Sequence, residues 1–239
     1  MVYHPRAILA PSVLLLLASA CASPQQSREE LFREQRLEMV RWQLVDRGIS
    51  DTAVLRAMRT VPRHRFVPEE IADHAYADGP LPIGLGQTIS QPYIVALMTE
   101  LAKPSPRFRV LEVGTGSGYQ AAVLAEIVDS VFTIEILEPL ATAAQARLRQ
   151  LNYGNIVVRY GDVYNGWPEH APFDAILVTA AAEVVPQPLI QQLKEGGRMV
   201  IPRGAVSEVQ ELILIEKVGG KAVERPVIPV RFVPLIHKE

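Results

Sequence analysis

The chain has 239 residues, 49% of them hydrophobic, and a formal net charge of −2. That length and composition suit one large globular domain plus a short extra piece, and the charge balance leaves no general basic field for nucleic acid as an obligatory partner. Cys21 is the only cysteine and the five histidines are scattered, which excludes an intrachain disulfide and a cysteine-based metal site; no metal is expected.

In chain order, residues 1–27 stand apart. Arg6 precedes an apolar stretch from Ala7 to Ala20, which closes on Ala18-Ser19-Ala20-Cys21. A basic start, a short apolar core and small residues are the parts of a secretory signal. Small residues directly before a cysteine resemble the lipobox of bacterial lipoproteins, with Ala18 where leucine is more usual. The stretch is short for a spanning helix, and Ala22 to Ser27 reads as a polar linker. The segment therefore reads as an export signal with a lipidated Cys21, as an inward-facing anchor, or as a leader that a later start, such as Met39, would omit.

From Ser27 to Gly48 the spacing predicts an amphipathic helix, with Ser27 as N-cap, Glu30 at the capping-box position and Gly48 as the stop. Leu31, Met39, Trp42 and Val45 form its expected apolar face. Asp51 is expected to cap a second helix, Thr52 to Val61, closed by Pro62. Arg63-His64-Arg65 reads as a solvated loop with His64 at the surface; the alternative is that Arg63 and Arg65 meet an acidic substrate. The stretch Gly79-Pro80-Leu81-Pro82-Ile83-Gly84-Leu85-Gly86-Gln87-Thr88-Ile89-Ser90-Gln91-Pro92 is unusually apolar for a loop, and it precedes an apolar helix, Tyr93 to Ala102. Ser90 fits the N-cap of that helix, with Pro92 in its first turn. The cap does not explain Gly84-x-Gly86-Gln87-Thr88-Ile89, which reads as a shaped pocket wall.

Val110-Leu111-Glu112-Val113-Gly114-Thr115-Gly116-Ser117-Gly118-Tyr119 is an apolar run ending in a tight turn, and Gln120 to Val128 continues at helical spacing. This is the first strand–turn–helix unit of a doubly wound, mostly parallel α/β sheet. The glycines admit a ligand close to the main chain, and the helix N-terminus behind them offers unpaired N–H groups. A dinucleotide fingerprint would need a third glycine at Tyr119, and a phosphate loop would need a lysine that is absent. Ser130 to Ile136 reads as the second strand and places Glu135 at its end, about 20 residues past the glycines, where such folds hold ribose hydroxyls. Ile156 to Tyr160 gives a third strand, followed by Gly161-Asp162; Asp162 can accept from an adenine amino group or serve as an ordinary turn aspartate. Pro172 to Thr179 is a fourth strand, Pro186 to Glu195 a helix closed by Gly196-Gly197, and Arg198 to Pro202 a fifth strand. Glu211 to Val218, Gly219-Gly220 and Ala222 onward predict a terminal antiparallel hairpin. Val230 to Leu235 contains a strand-like segment beside Pro229 and Pro234.

Glu-x-Gly-x-Gly-x-Gly resembles the first motif of the Rossmann-like S-adenosylmethionine methyltransferases. Together with Gly86-Gln87-Thr88-Ile89-Ser90-Gln91-Pro92, Gly161-Asp162, Ala171-Pro172-Phe173-Asp174-Ala175-Ile176, Leu193-Lys194-Glu195-Gly196-Gly197-Arg198 and Arg231-Phe232-Val233-Pro234-Leu235, it resembles the protein-L-isoaspartate O-methyltransferases, from about Met39 to Ile236. The resemblance implies a single methyltransferase domain over 28–239: a helical front at 28–78, a substrate loop at 79–92 and a Rossmann-like core at 105–239. It also implies methyl transfer from S-adenosyl-L-methionine to the α-carboxyl group of L-isoaspartyl residues, whose methyl ester collapses to a succinimide and reopens in part to a normal linkage.

By the same resemblance Ser90 is the active-site serine. Glu112, Gly114, Gly116 and Gly118 contact the methionine part of the donor, Glu135 the ribose and Asp162 the adenine, with Val163 where some members carry glycine. Thr88, Ile89, Val230, Arg231, Phe232 and Val233 hold the substrate. The expected partners are isoaspartyl-containing proteins and peptides, met by a monomer in the cytoplasm, where the donor is made. A membrane enters only if the N-terminal segment anchors the chain or Cys21 is lipidated. Two other readings stay open: the same donor with another carboxylate or a small molecule as acceptor, and an envelope lipoprotein that keeps the fold as a binding module.

Overall fold

The computed structural model describes residues 1–2, 24–205 and 207–237. The expectations attached to the Ala7–Cys21 stretch lie outside those residues. Among the described residues no helix is long and apolar enough to cross a membrane.

Helix α1 (Pro24–Glu38) runs on into a π-helical turn, Met39–Leu44, and a 3-10 turn, Val45–Arg47, which ends at Gly48 with φ 93°. Ser27 therefore lies inside the helix rather than at its cap. The buried face is Phe32, Met39, Val40 and Leu44, while Leu31, Trp42 and Val45 are exposed. A π-turn adds a residue per turn and shifts the phase of everything after it; of the expected face only Met39 points inward. Phe32 stacks on His64 with ring centroids 4.2 Å apart, and Arg36 donates to the Arg59 carbonyl and the Tyr76 hydroxyl. A chain beginning at Met39 would lose this helix and uncover His64 and Tyr76.

Helix α2 (Thr52–Thr60) is capped as expected, with Asp51 accepting from the N–H groups of Ala53 and Val54. The following stretch corrects the sequence reading, for Arg63 and His64 are buried, not solvated. The stretch 79–92 folds into a hairpin, β1 (Leu81–Gly84) and β2 (Gln87–Ile89), turned through left-handed Gly84, Leu85 and Gly86. Helix α3 (Pro92–Ala102) has Gln91, not Ser90, at its N-cap, and Gln91 makes no side-chain capping bond.

The core alternates strand and helix: β3 (Arg109–Val113), α4 (Tyr119–Ala125), β4 (Ser130–Glu135), α5 (Glu138–Gln150), β5 (Ile156–Tyr160), β6 (Phe173–Val178), α6 (Gln187–Gln192), β7 (Leu193–Arg203), β8 (Gln210–Val218) and β9 (Lys221–Val230). These strands form one sheet in the order β5-β4-β3-β6-β7-β8-β9, parallel as far as β7 and antiparallel through β8 and β9. The helix expected over Pro186 to Glu195 stops at Gln192. Leu193 already pairs with Phe173 and Arg198 with Ala175, so Lys194 to Gly197 form a bulge, with Gly196 at φ 75°.

Side chains alternate faces along each strand, and both faces are covered. Val110, Val131, Ala175, Leu177, Val200, Leu212 and Leu214 join the cluster under the N-terminal helices. Leu111, Val113, Phe132, Ile134, Ile176, Met199, Ile213 and Ile215 join the cluster on the other face. Glu112 shares the face of Val110, which puts its carboxylate under α3 and α4.

Candidate active site

The strand order reverses at β3, with β4 and β5 on one side and β6 and β7 on the other. In such a sheet a crevice opens beyond the carboxyl ends of the strands at that point. Here the turn after β3 and the residue after β6 form its floor. Gly114, Gly116 and Gly118 have φ of 98°, 52° and 86°. Gly114 and Thr115 donate to the Ile134 carbonyl, which ties the turn to β4. Thr179, directly after β6, donates its hydroxyl to the Gly114 carbonyl at 2.6 Å.

Glu135, at the end of β4, accepts from the N–H of Gly116 at 2.8 Å through one oxygen and from that of Leu137 at 3.0 Å through the other. Each oxygen keeps a lone pair. Glu112 is fully buried. One of its oxygens accepts from the Thr133 hydroxyl, and Thr133 sits 2.7 Å from the Thr115 hydroxyl. With Glu112 ionised, Thr133 spends its one proton there and accepts from Thr115. The other oxygen, Oε1, has no hydrogen-bond partner. Burial pushes the Glu112 carboxyl up to about 8, with the Thr133 hydroxyl and, more weakly, the Ala121 N–H opposing and the nearby Glu135 charge adding to the rise.

A second orphan acceptor shares this cavity. Gln120 Nε2 donates to the Thr99 hydroxyl at 2.9 Å, and that hydroxyl donates to the Val95 carbonyl at 2.7 Å. The single Thr99 proton is used, so the amide orientation is fixed and Gln120 Oε1 is left unpartnered. Glu112, Gln120, Ser90, Gly114, Gly116 and Thr179 all line the same small cavity.

Two larger spaces adjoin it, and Thr88 and Thr179 line all three. On one side an open cleft of about 400 Å³ is walled by Thr88, Ser90, Gln91, Val230, Arg231, Phe232 and Val233. On the other an arm of about 50 Å³ runs past Gly114, Gly116, Glu135 and Leu137 under the strap Val233 to Ile236. Backbone bonds of 2.8 Å between Ala181 and both Val233 and Leu235 pin the strap, and His237 Nδ1 lies 2.9 Å from Asp162.

The structure thus brings together Ser90, Thr88, Glu112, Gly114, Gly116, Glu135, Val230, Arg231, Phe232 and Val233. It does not bring Gly118 or Asp162 to the cleft. Gly118 is the N-cap of α4, and a Cβ there would lie 3.3 Å from Leu148 Cδ1, against α5. Asp162 caps the 3-10 turn Val163–Asn165 and faces His237. Ile89 is buried in the core and touches only the small junction cavity. Sequence reasoning missed Thr179 and Gln120, and it set Arg63 aside as a residue of a solvated loop. Thr179 was findable, because it ends the strand beside the switch point; nothing in the pattern marks Gln120.

A family model described as protein-L-isoaspartate(D-aspartate) O-methyltransferase matches residues 34–239. A protein-L-isoaspartate O-methyltransferase of Opitutus terrae is 56% identical over 228 residues, 95% of this chain and 96% of the relative. One from Polaromonas sp. is 61% identical over 186 residues, 77% of this chain and 88% of the relative. Among solved structures, a beta-aspartate methyltransferase of Plasmodium falciparum in complex with S-adenosyl-L-homocysteine superposes with a TM-score of 0.74 at 27% identity, covering 84% of this chain and 98% of that one.

Proposed function

Because the chain belongs to the protein-L-isoaspartate(D-aspartate) O-methyltransferase family, we propose that it transfers a methyl group from S-adenosyl-L-methionine to the α-carboxyl group of L-isoaspartyl residues in damaged proteins and peptides. The observation that carries this reading is the meeting of two unlike arms at Ser90 and Thr179: a glycine-cradled acidic arm and an open cleft at the sheet's C-terminal end.

The residues fit the donor. Glu112 Oε1 and Gln120 Oε1 are buried acceptors without partners, suited to a cationic amino-acid end. Glu135 has lone pairs left for ribose hydroxyls. Gly114 and Gly116 let the ligand reach the backbone, while Gly118 acts at one remove by setting the start of α4. Asp162 serves the adenine once His237 leaves it. The narrow arm widens by displacement of Val233 to Ile236. Bound S-adenosylmethionine supplies an already activated methyl group.

Little further chemistry is asked of the protein. A carboxylate with an ordinary pKa of about 3.3–3.9 is ionised near pH 7 and is itself the nucleophile, so no general base is needed. Orientation remains the task. Ser90 aligns the acceptor carboxylate by a hydrogen bond, and Thr88, Val230, Arg231, Phe232 and Val233 hold the peptide around it. The edge strand β9 ends at Val230, where an extended peptide can pair by its main chain and leave its sequence free to vary. Released methyl ester then closes to the succinimide without help. The test is base-labile label on an isoaspartyl peptide; donor binding without transfer would assign another acceptor.

Donor affinity is expected to depend on pH through Glu112. With the carboxyl raised to about 8, the free site is mostly protonated at neutral pH. The ammonium of the donor's amino-acid end, which S-adenosylhomocysteine shares, favours the ionised form, so binding expels a proton. Affinity is full above pH 8 and falls by up to about tenfold per unit below it, until the bound-state pKa is reached. Calorimetry of S-adenosylhomocysteine binding at pH 7, in buffers of different ionisation enthalpy, should show release of close to one proton; none released would detach Glu112 from the donor.

The donor is made in the cytosol, which favours that location. The mass of the native N-terminus distinguishes it from an envelope lipoprotein, which would carry a diacylated Cys21.

A further inference from the structure

Arg63 is fully buried, yet among the described residues no carboxylate pairs with it. Its Nε donates to the Ala75 carbonyl at 2.8 Å and its Nη2 to the Ser90 carbonyl at 2.8 Å. The guanidinium carbon lies 4.8 Å from the centre of the Tyr119 ring, at the start of α4. Nη1 has no partner. Burial lowers the pKa only to about 10, so the group stays charged at neutral pH. Its neighbour His64 supplies no second cation, since burial pushes the imidazole down. A lone buried cation is costly to desolvate, and a plain scaffold role would be met with less strain by an apolar side chain. What distinguishes this position is its contact with the residue where donor arm and acceptor cleft meet.

We infer that Arg63 is a positioning residue for methyl transfer: by gripping the Ser90 carbonyl it holds the Ser90 hydroxyl toward the acceptor cleft and makes that end of the cleft receptive to an anionic carboxylate. This rests on the methyl-transfer reading above. The reaction destroys charge, because carboxylate and sulfonium become ester and thioether. A cation paired directly with the carboxylate would stabilise the ground state more than the transition state and slow the step. Set one layer behind Ser90 and bonded to its carbonyl, Arg63 leaves the attacking oxygen free. The planar fork matters, since it reaches two carbonyls at once while stacking on Tyr119.

The test is Arg63→Lys, which keeps the charge and loses the fork, assayed alone and in a Ser90→Ala background. With an isoaspartyl peptide as acceptor, kcat should fall about 10- to 100-fold while S-adenosylhomocysteine affinity stays within about threefold. In the Ser90→Ala background the same change should cost less than about threefold, because residues that act as a unit are not additive. Unchanged turnover, a full penalty in the Ser90→Ala background, or a parallel loss of donor affinity would each overturn the inference. Should Arg63→Lys not fold, Arg63→Gln, uncharged but still an amide donor, enters the same cycle. Wild-type protein is the reference: if it does not methylate the peptide, the functional reading itself fails and takes this inference with it.

Discussion

Gly114→Ala is expected to weaken donor binding by at least about 100-fold, roughly 2.7 kcal/mol, while leaving the domain folded. Gly114 has φ 98°, a region that residues with a Cβ enter only under strain. An added Cβ would stand 2.6 Å from Thr179 Oγ1. That hydroxyl is not free to retreat, for it lies 3.1 Å from the Val113 carbonyl and 2.6 Å from that of Gly114. Relief requires the turn to move off Thr179, and the turn is what shapes the donor arm. Gly118→Ala is the informative comparison. Its Cβ would press on Leu148, away from the cleft, so it should lower thermal stability more than affinity. Calorimetry with S-adenosylhomocysteine measures both, and an affinity within threefold of wild type in Gly114→Ala would contradict the placement of the donor.

Ser90→Ala is expected to lower turnover on an isoaspartyl peptide by about 10- to 1,000-fold, equivalent to about 1.4–4 kcal/mol, with no change in melting temperature. The second half follows from the fold. In sequence Ser90 fits a helix cap, and losing a cap costs about 1 kcal/mol of stability. In the structure Gln91 holds that position, and the hold on residue 90 from Arg63 is through its backbone carbonyl, which alanine keeps. Alanine therefore removes the hydroxyl and nothing structural. Unchanged turnover would remove the role assigned to the serine, and a fall in melting temperature matching the loss of activity would return it to the scaffold.

The strands and the glycine turn were legible because alternation and glycine placement are local signals. Glu112 and Glu135 could be placed at strand ends from the same pattern. What was not legible depends on distant backbone. Arg63 and His64 sit between Pro62 and Pro68 and look like a solvated loop, but the acceptors that let Arg63 be buried are carbonyls 12 and 27 residues away. The π-turn at Met39–Leu44 shifts the helical phase without any mark in composition, so Trp42 and Val45 face outward; Leu31, ahead of it, is exposed because the adjacent Phe32 takes the buried position. Lys194-Glu195-Gly196-Gly197 has the composition of a helix end; pairing of Leu193 with Phe173 makes it a strand bulge instead. The tail from Val233 to His237 was readable as extended chain, not as a strap across the arm beside Glu135.

The most direct test of the account uses protein lacking residues 1–23, so that α1 is kept, with radiolabelled S-adenosylmethionine and paired peptides that differ only in an isoaspartyl or an aspartyl linkage. The account predicts base-labile label on the isoaspartyl peptide alone. Equal labelling of both peptides, or none on either despite measurable donor binding, would contradict it.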